Sequence, residues 1–227
     1  MFYVLKKISQ ILFLLIAASS TSCASLNDQY PATSADGLKR IESKYVDAMY
    51  WQDGATLQSY ERVQILDVSV AFKKDWLRDY NRDVPGLSGR ADQSDMDRIK
   101  QSLAYEFVRV FTKELQEKGG YEIADKPAEN VLQLSPAIVD LDVAAPDLKT
   151  AGRITTYTAE AGEMTLVMDL YDSASGAKIG TVIDRGRSRD RGSFRISNSV
   201  TNKSEADIIL RKWATLLVNA LDEARAK

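Results

Sequence analysis

Residues 163–172, EMTLVMDLYD, alternate Met164, Leu166, Met168 and Leu170 with Thr165, Val167, Asp169 and Tyr171. A period of two sends each set to its own side of an extended chain, so the stretch fits a sheet with one packed face and one wetter face. DSASG follows, its Gly176 suited to a bulged hairpin, and AKIGTVID then resumes an extended pattern. The two runs are therefore expected to be adjacent and antiparallel. YEIA and VLQLSPAIVDLDV precede them, and VQILDVSVAF lies further upstream. In VQILDVSVAF, Val63 and Ile65 share one parity while Leu66, Val68, Val70 and Phe72 share the other, which predicts a bulge or a strand covered on both faces. In VLQLSPAIVDLDV, Leu132 and Leu134 differ in parity from Val139, Leu141 and Val143, and Pro136 removes a ladder donor. That pattern predicts an edge or a bulged strand.

Two stretches carry helical spacing instead. After the loop NRDVPGLSGRADQ, Ser94 and Asp97 form a cap-like start, and Met96, Ile99, Leu103, Phe107, Val110, Phe111 and Leu115 line one face before Gly119 and Gly120 stop it. Arg109, Lys113 and Glu117 read as a solvated charge row. Near the end, Ser204 and Asp207 repeat the cap pattern, and Ile209, Trp213, Leu216, Leu217, Ala220, Leu221 and Ala224 line a second face. The order β, α, several β, α predicts an α+β fold: a two-layer domain in which a largely antiparallel sheet has two helices packed on one face. The aromatic run before the first strand, with Tyr45, Tyr50, Trp51 and Tyr60, reads as packing at the core edge rather than a ligand platform.

The N-terminus has a different character. Lys6 and Lys7 precede an apolar run from Ile11 to Ala18, which is too short for a bilayer span of ~20 residues and has the order of a secretory signal. Cys23 stands at the small-residue cut site behind Ser22, an arrangement that resembles the lipobox of bacterial lipoproteins, in which the cysteine becomes the lipid-bearing first residue. Ordinary cleavage near Ser22, leaving a free thiol, is the alternative. The expected organisation is a signal over 1–22, a lipidated Cys23 with a tether over 23–44, and a single periplasmic domain over 45–227. Lipoproteins of this class held at the inner membrane usually carry Asp after the cysteine; Ala24 here points to the outer membrane. Cys23 is the only cysteine, so no internal disulfide can form and the domain relies on its core. Removing the signal leaves Lys plus Arg at 28 against 32 Asp plus Glu, a charge that offers no general attraction to nucleic acid or anionic lipid.

The stretches MTLVMDLYDSASGAKIGTVIDRGR and RKWATLLVNALDEA resemble a proteobacterial lipoprotein family known as domain of unknown function 3313. The matching positions are Asp172, Gly176, Asp184, Arg185, Trp213 and Ala214, and the likeness covers roughly residues 45–224. The resemblance implies an envelope location and brings no activity with it.

The chain contains no histidine, which removes the usual general base near neutral pH and every His-dependent triad. Ser175 and Lys178 have S-x-x-K spacing but fall in the hairpin rather than on a helix. Asp140 and Asp142, two apart on a strand, read as a wet face rather than a cation site. No cofactor and no catalytic or metal-binding residue is expected. The one polar stretch that stands out is DRGRSRDRGSFR. There Arg185, Arg187, Arg189, Arg191 and Arg195 are spaced mostly by two and could form a stripe for an anion or an acidic partner. A charged hairpin arm with local compensation by Asp184 and Asp190 is the bland reading. The leading expectation is a lipid-anchored accessory or scaffold that contacts envelope proteins without catalysis. A module binding an envelope glycan or anionic lipid comes second, and a carboxylate-based hydrolase third.

Overall fold

The computed structural model describes residues 29–84, 86, 89–143, 156–158, 162–187, 195–197 and 199–226. Residues 32–227 make up one compact unit. In chain order it runs β1 (Lys39–Ile41), β2 (Ala48–Trp51), β3 (Arg62–Ile65), β4 (Ser69–Phe72), α1 (Trp76–Asp83), α2 (Gln93–Glu117), β5 (Glu122–Ile123), β6 (Val131–Val143), β7 (Thr156–Thr158), β8 (Gly162–Asp172), β9 (Lys178–Arg187), β10 (Arg195–Ser197) and α3 (Ser199–Arg225). Eight strands form one sheet in the order β1-β2-β9-β8-β6-β3-β5, with β4 also on β6; β7 and β10 form a separate pair. The class is α+β.

The alternation in β8 holds: Met164, Leu166, Met168 and Leu170 are buried, and Thr165, Val167, Asp169 and Tyr171 are half-buried. β8 pairs antiparallel with β9 through the expected hairpin, where Gly176 takes φ +70. Asp172 closes that turn by accepting from the Ser175 N–H at 2.8 Å, the Ser175 hydroxyl at 2.6 Å and the Tyr60 hydroxyl at 3.0 Å. The Ser175 bonds come first in holding the Asp172 carboxyl below its ordinary value; burial, then Asp172, push the Tyr60 hydroxyl up to about 12.

Several expectations are corrected. The sheet is mixed rather than largely antiparallel, because β3 runs parallel to β5 and both β3 and β4 run parallel to β6. The cause is α2, whose 25 residues return the chain to the starting end of the sheet before β5 and β6 begin. VQILDVSVAF is two strands with a break at 66–68. β6 is not an edge, since it pairs with β8 on one side and with β3 and β4 on the other. Pro136 is tolerated there for a local reason. The Leu66 N–H donates to the Leu134 carbonyl at 2.9 Å, and groups two apart on a strand point the same way, so Pro136 turns its donorless nitrogen toward the break between β3 and β4. The parity change downstream is a bulge between Val139 and Asp142, with Asp140 at φ +52, so Asp140 and Asp142 do not share a regular strand face.

Among the described residues three helices are present instead of two. α1 has a single buried residue, Trp76, and therefore no apolar period to read. Trp76 stacks on Tyr80 at 5.2 Å, meets the Phe72 ring at a tilt at 4.4 Å, and donates its indole N–H to the Val143 carbonyl. α2 begins earlier than Ser94: Asp92 is the N-cap, its side chain accepting from the Asp95 N–H at 2.9 Å while Asp95 accepts from the Asp92 N–H at 3.1 Å. α3 begins at Ser199, so the pattern at Ser204 and Asp207 lies inside the helix. On α3, Ala220 is exposed, whereas Leu210, Ala214 and Val218 join Ile209, Trp213, Leu217 and Leu221 in the core. Within the range expected as tether, residues 39–41 are a strand and Leu38 is buried. Tyr50 and Tyr60 pack inside, while Tyr45 is exposed.

α2 and α3 are joined by charge as well as by apolar contact. Arg109 is not part of a purely solvated row: it donates to Glu106 at 2.6 Å and across to Asp207 of α3 at 3.0 Å. Further along, the buried Glu114 accepts from the Lys118 ammonium and from the Thr215 hydroxyl of α3. Lys118 above all holds the Glu114 carboxyl below its ordinary value of 4.5. A carboxyl depressed in the folded state contributes stability that is whole above its unfolded pKa and drains away as pH falls through the folded one. The expected result is that Glu114→Gln flattens the acid limb: melting temperature between about pH 5 and about pH 3 should fall less steeply in the variant than in the native chain. Equal slopes would show that Glu114 carries none of that limb.

Candidate functional site

The arginine-bearing end of β9 is where the sequence singled out residues, and strand alternation divides it into two sides. Asp184 and Gly186 are buried, while Arg185 and Arg187 are exposed. On the buried side, Asp184 accepts from the Trp213 indole N–H at 2.7 Å and from the Lys212 ammonium at 2.9 Å, tying β9 to α3. Gly186 lies directly under that helix, where a Cβ would overlap Ile209 Cγ2 and stand 3.1 Å from Trp213 Cζ2. On the other side, Arg185 and Arg187 converge on one carboxylate. Arg185 donates through Nε to Glu163 Oε1 at 2.6 Å and again through its Nη2, and Arg187 forms an ion pair with the same carboxylate, its Nε 2.7 Å from Glu163 Oε2. The Arg185 backbone N–H also donates to Asp47 at 2.9 Å. Arg185 and Arg187 thus form a two-guanidinium clamp filled by Glu163, with side chains that remain 42% and 59% exposed.

Arg189 and Arg191 lie outside the described residues, as does Cys23; Arg195 is the first residue of β10, opposite Thr158 of β7. No motif singles out Glu163, yet the sequence carries a signal for it. In a hairpin centred on Ser175 the mirror position of Arg187 is Glu163, and the register pairs them. The S-x-x-K pair comes apart: Ser175 bonds to Asp172, while Lys178 is held by Asp36 and by Asp169 at 2.9 Å. Burial opposes the Lys178 charge, but the bonds its ammonium donates to Asp36 and Asp169 prevail and raise its pKa, the wrong direction for a general base.

Elsewhere an open depression is lined by Gln58, Glu61, Arg62, Gly120, Glu122 and Arg225. Its cations are committed, since Arg62 donates to Asn130 Oδ1 at 2.8 Å and Arg225 lies 3.8 Å over the Tyr121 ring. Among the described residues no cluster of three or more acidic, His or Cys side chains could hold a metal, and no helix is long and apolar enough to cross a membrane.

Comparison with solved structures finds the PelC L103M dodecamer from Paraburkholderia phytofirmans, 12% identical over 74% of this chain and 95% of that one, with a TM-score of 0.37. A Xanthomonas campestris protein matching the family model DUF330 is 17% identical over 74% and 87%, with a TM-score of 0.34. A putative neuraminyllactose-binding hemagglutinin homolog from Helicobacter pylori is 9% identical over 78% and 92%, with a TM-score of 0.35. No curated protein matches the sequence. A family model described as "Protein of unknown function (DUF3313)" matches residues 28–217, a span that contains Asp172, Gly176, Asp184, Arg185, Trp213 and Ala214. With the hairpin turn, the β9–α3 bond and the glutamate-filled clamp all inside that match, the chain belongs to the DUF3313 family.

Proposed function

We propose that this chain is a lipoprotein of the bacterial cell envelope, anchored through acyl chains on Cys23 at the periplasmic side of the outer membrane, with a non-enzymatic domain that contacts an envelope protein. The observation that carries the reading is the N-terminal order of Lys6, Lys7, the apolar run Ile11–Ala18, Ser22 and Cys23. The compact unit starts at Ala32, so a spacer of residues 24–31 reaches at most about 29 Å. That is a shorter leash than a tether running to residue 44.

An accessory role is supported by how the domain uses its polar groups. The buried carboxylates Asp95, Glu114 and Asp184 are each bonded within the fold, and the sequence supplies no histidine. We place α2 and α3 together on one face of the sheet, since their buried residues share one core cluster with Met164, Leu166, Met168 and Leu170. The opposite side chains of β8, Thr165 and Val167 among them, are half-buried and would be the contact surface. Recognition of an envelope glycan or anionic lipid is the second reading, supported by two exposed guanidinium groups sharing the single carboxylate of Glu163.

Mass spectrometry of the mature N-terminus tests the anchor. The expected product begins at Cys23 and carries acyl chains, and Cys23→Ser should release the protein from membranes. An unmodified Cys23, or a Cys23→Ser variant that stays membrane-bound, overturns the reading.

A further inference from the structure

The chain enters the compact unit at a border of the sheet. Thr33 forms an antiparallel bridge with Lys39, and the Arg40 N–H donates to the Ala32 carbonyl at 2.9 Å. In an antiparallel pairing, passing back from Thr33 to Ala32 follows Lys39 to Arg40, so the chain comes in from the end where β1 turns into β2. The next residue of β1, Ile41, is 40% exposed, and Tyr45 in the turn is 69% exposed. Among the described residues the other exposed large apolar side chains, Tyr105, Val108 and Ile208, lie on α2 and α3. The turn is shaped from within. The Ser43 hydroxyl accepts from the Tyr45 N–H at 3.2 Å and from the Val46 N–H at 3.4 Å, while the Tyr45 side chain has no hydrogen-bond partner among the described residues. The exposed Glu42 and Lys44 cancel in charge.

We propose that this turn is a membrane lip: Ile41 and Tyr45 enter the headgroup region of the phospholipid leaflet that holds the acyl chains of Cys23. This contact presupposes the acylated Cys23 proposed above. What selects the bilayer as occupant is where the leash ends. Residues 24–31 reach at most about 29 Å, and the leash joins the unit at Ala32, opposite Arg40. From Ile41 to Tyr45 is at most about 14 Å more. The leaflet is thus the surface that the anchor itself keeps near the turn. A phenol suits that place, with an apolar ring for the acyl boundary and a hydroxyl for the wet headgroup layer. One Ile and one Tyr would not hold a free domain, but a lipid anchor turns the contact into an intramolecular one at high effective concentration. A neutral turn also lets a chain whose acids outnumber its bases lie on phospholipid without drawing on charge.

The test uses the acylated full chain in vesicles of phosphatidylethanolamine and phosphatidylglycerol, with Tyr45→Cys or Tyr105→Cys carrying a thiol-reactive fluorophore. Tyr105, on α2, is 71% exposed and serves as the reference. Acylation blocks the Cys23 sulfur, so one dye per chain is expected. Lipids with a nitroxide near the headgroup should quench the dye at position 45 roughly threefold more than the dye at position 105. Adding Ile41→Asp should shrink that difference, and high salt should leave it unchanged because the turn is neutral. Equal quenching at the two positions, with one dye per chain, overturns the lip and leaves the anchor standing. A difference untouched by Ile41→Asp also overturns it, as does one that vanishes in high salt, which assigns the contact to charged groups. A dye at position 45 shielded from aqueous iodide yet unquenched by nitroxide lipid overturns it in favour of a second copy. Two dyes per chain show a free Cys23 and overturn the anchor, and the lip with it.

Discussion

Trp213→Ala should cost about 5 kcal/mol, most of the stability of a marginal domain, because it removes two kinds of support at once. Trp213 is 3% exposed, so truncation opens a cavity in the core, and losses of about 3–5 kcal/mol attend aromatic-to-alanine changes of that kind. Its indole N–H is also the buried donor to Asp184, leaving that carboxylate with the half-exposed Lys212 alone. Urea unfolding followed by circular dichroism measures the total, and Trp213→Phe separates the parts. Phenylalanine keeps most of the packing and loses the donor, so its cost should approach that of a hydrogen bond to a charged group, about 1.5–3 kcal/mol. If Trp213→Phe is neutral, the bond to Asp184 contributes nothing and the family positions Asp184 and Trp213 are linked only by proximity.

The second large effect lies one step along the same strand. Gly186→Ala should destabilise by about 2–3 kcal/mol, since the new Cβ overlaps Ile209 Cγ2 and a branched side chain on a packed helix has little room to yield. Ile209→Ala alone should also cost about 2–4 kcal/mol through the cavity it leaves. The two together should cost less than the sum by about 1 kcal/mol or more, because each relieves the other, which is the sign of direct contact in a double-mutant cycle. Strict additivity would mean that β9 and α3 approach less closely than the geometry has them.

What could be read in the sequence followed a simple physical line. Patterns carried by side-chain burial were legible: the alternation in β8, the hairpin at Gly176, and the apolar faces centred on Phe107 and Trp213. Features set by backbone partners were not. Pro136 suggests an edge until one sees that its missing donor points at the break between β3 and β4. The parallel pairing of β3 with β6 joins residues nearly 70 positions apart, and nothing in either strand specifies direction. α1 is held by ring contacts of Trp76 with Phe72 and Tyr80 rather than by a periodic face. At the candidate site Arg185 and Arg187, two apart on β9, are both exposed and reach one carboxylate. Their partner Glu163 became visible only through the register of the hairpin, and Arg109 likewise looked solvated until Asp207 arrived from another helix.

The pairing of β2 with β9 bears on the order in which this protein can be made. Ala48 meets Ile183, and β3 and β4 both wait for β6, so among the described residues no strand before residue 120 has its sheet neighbour in hand except β1 and β2 with each other. The hairpin of β8 and β9, by contrast, closes locally. A chain emerging amino end first therefore carries its early strands unmatched through more than half of synthesis, and native sheet growth starts from the late hairpin and works back toward the beginning. Truncation near the carboxyl end would thus be expected to strand the whole sheet, while loss of β1 would cost only a border.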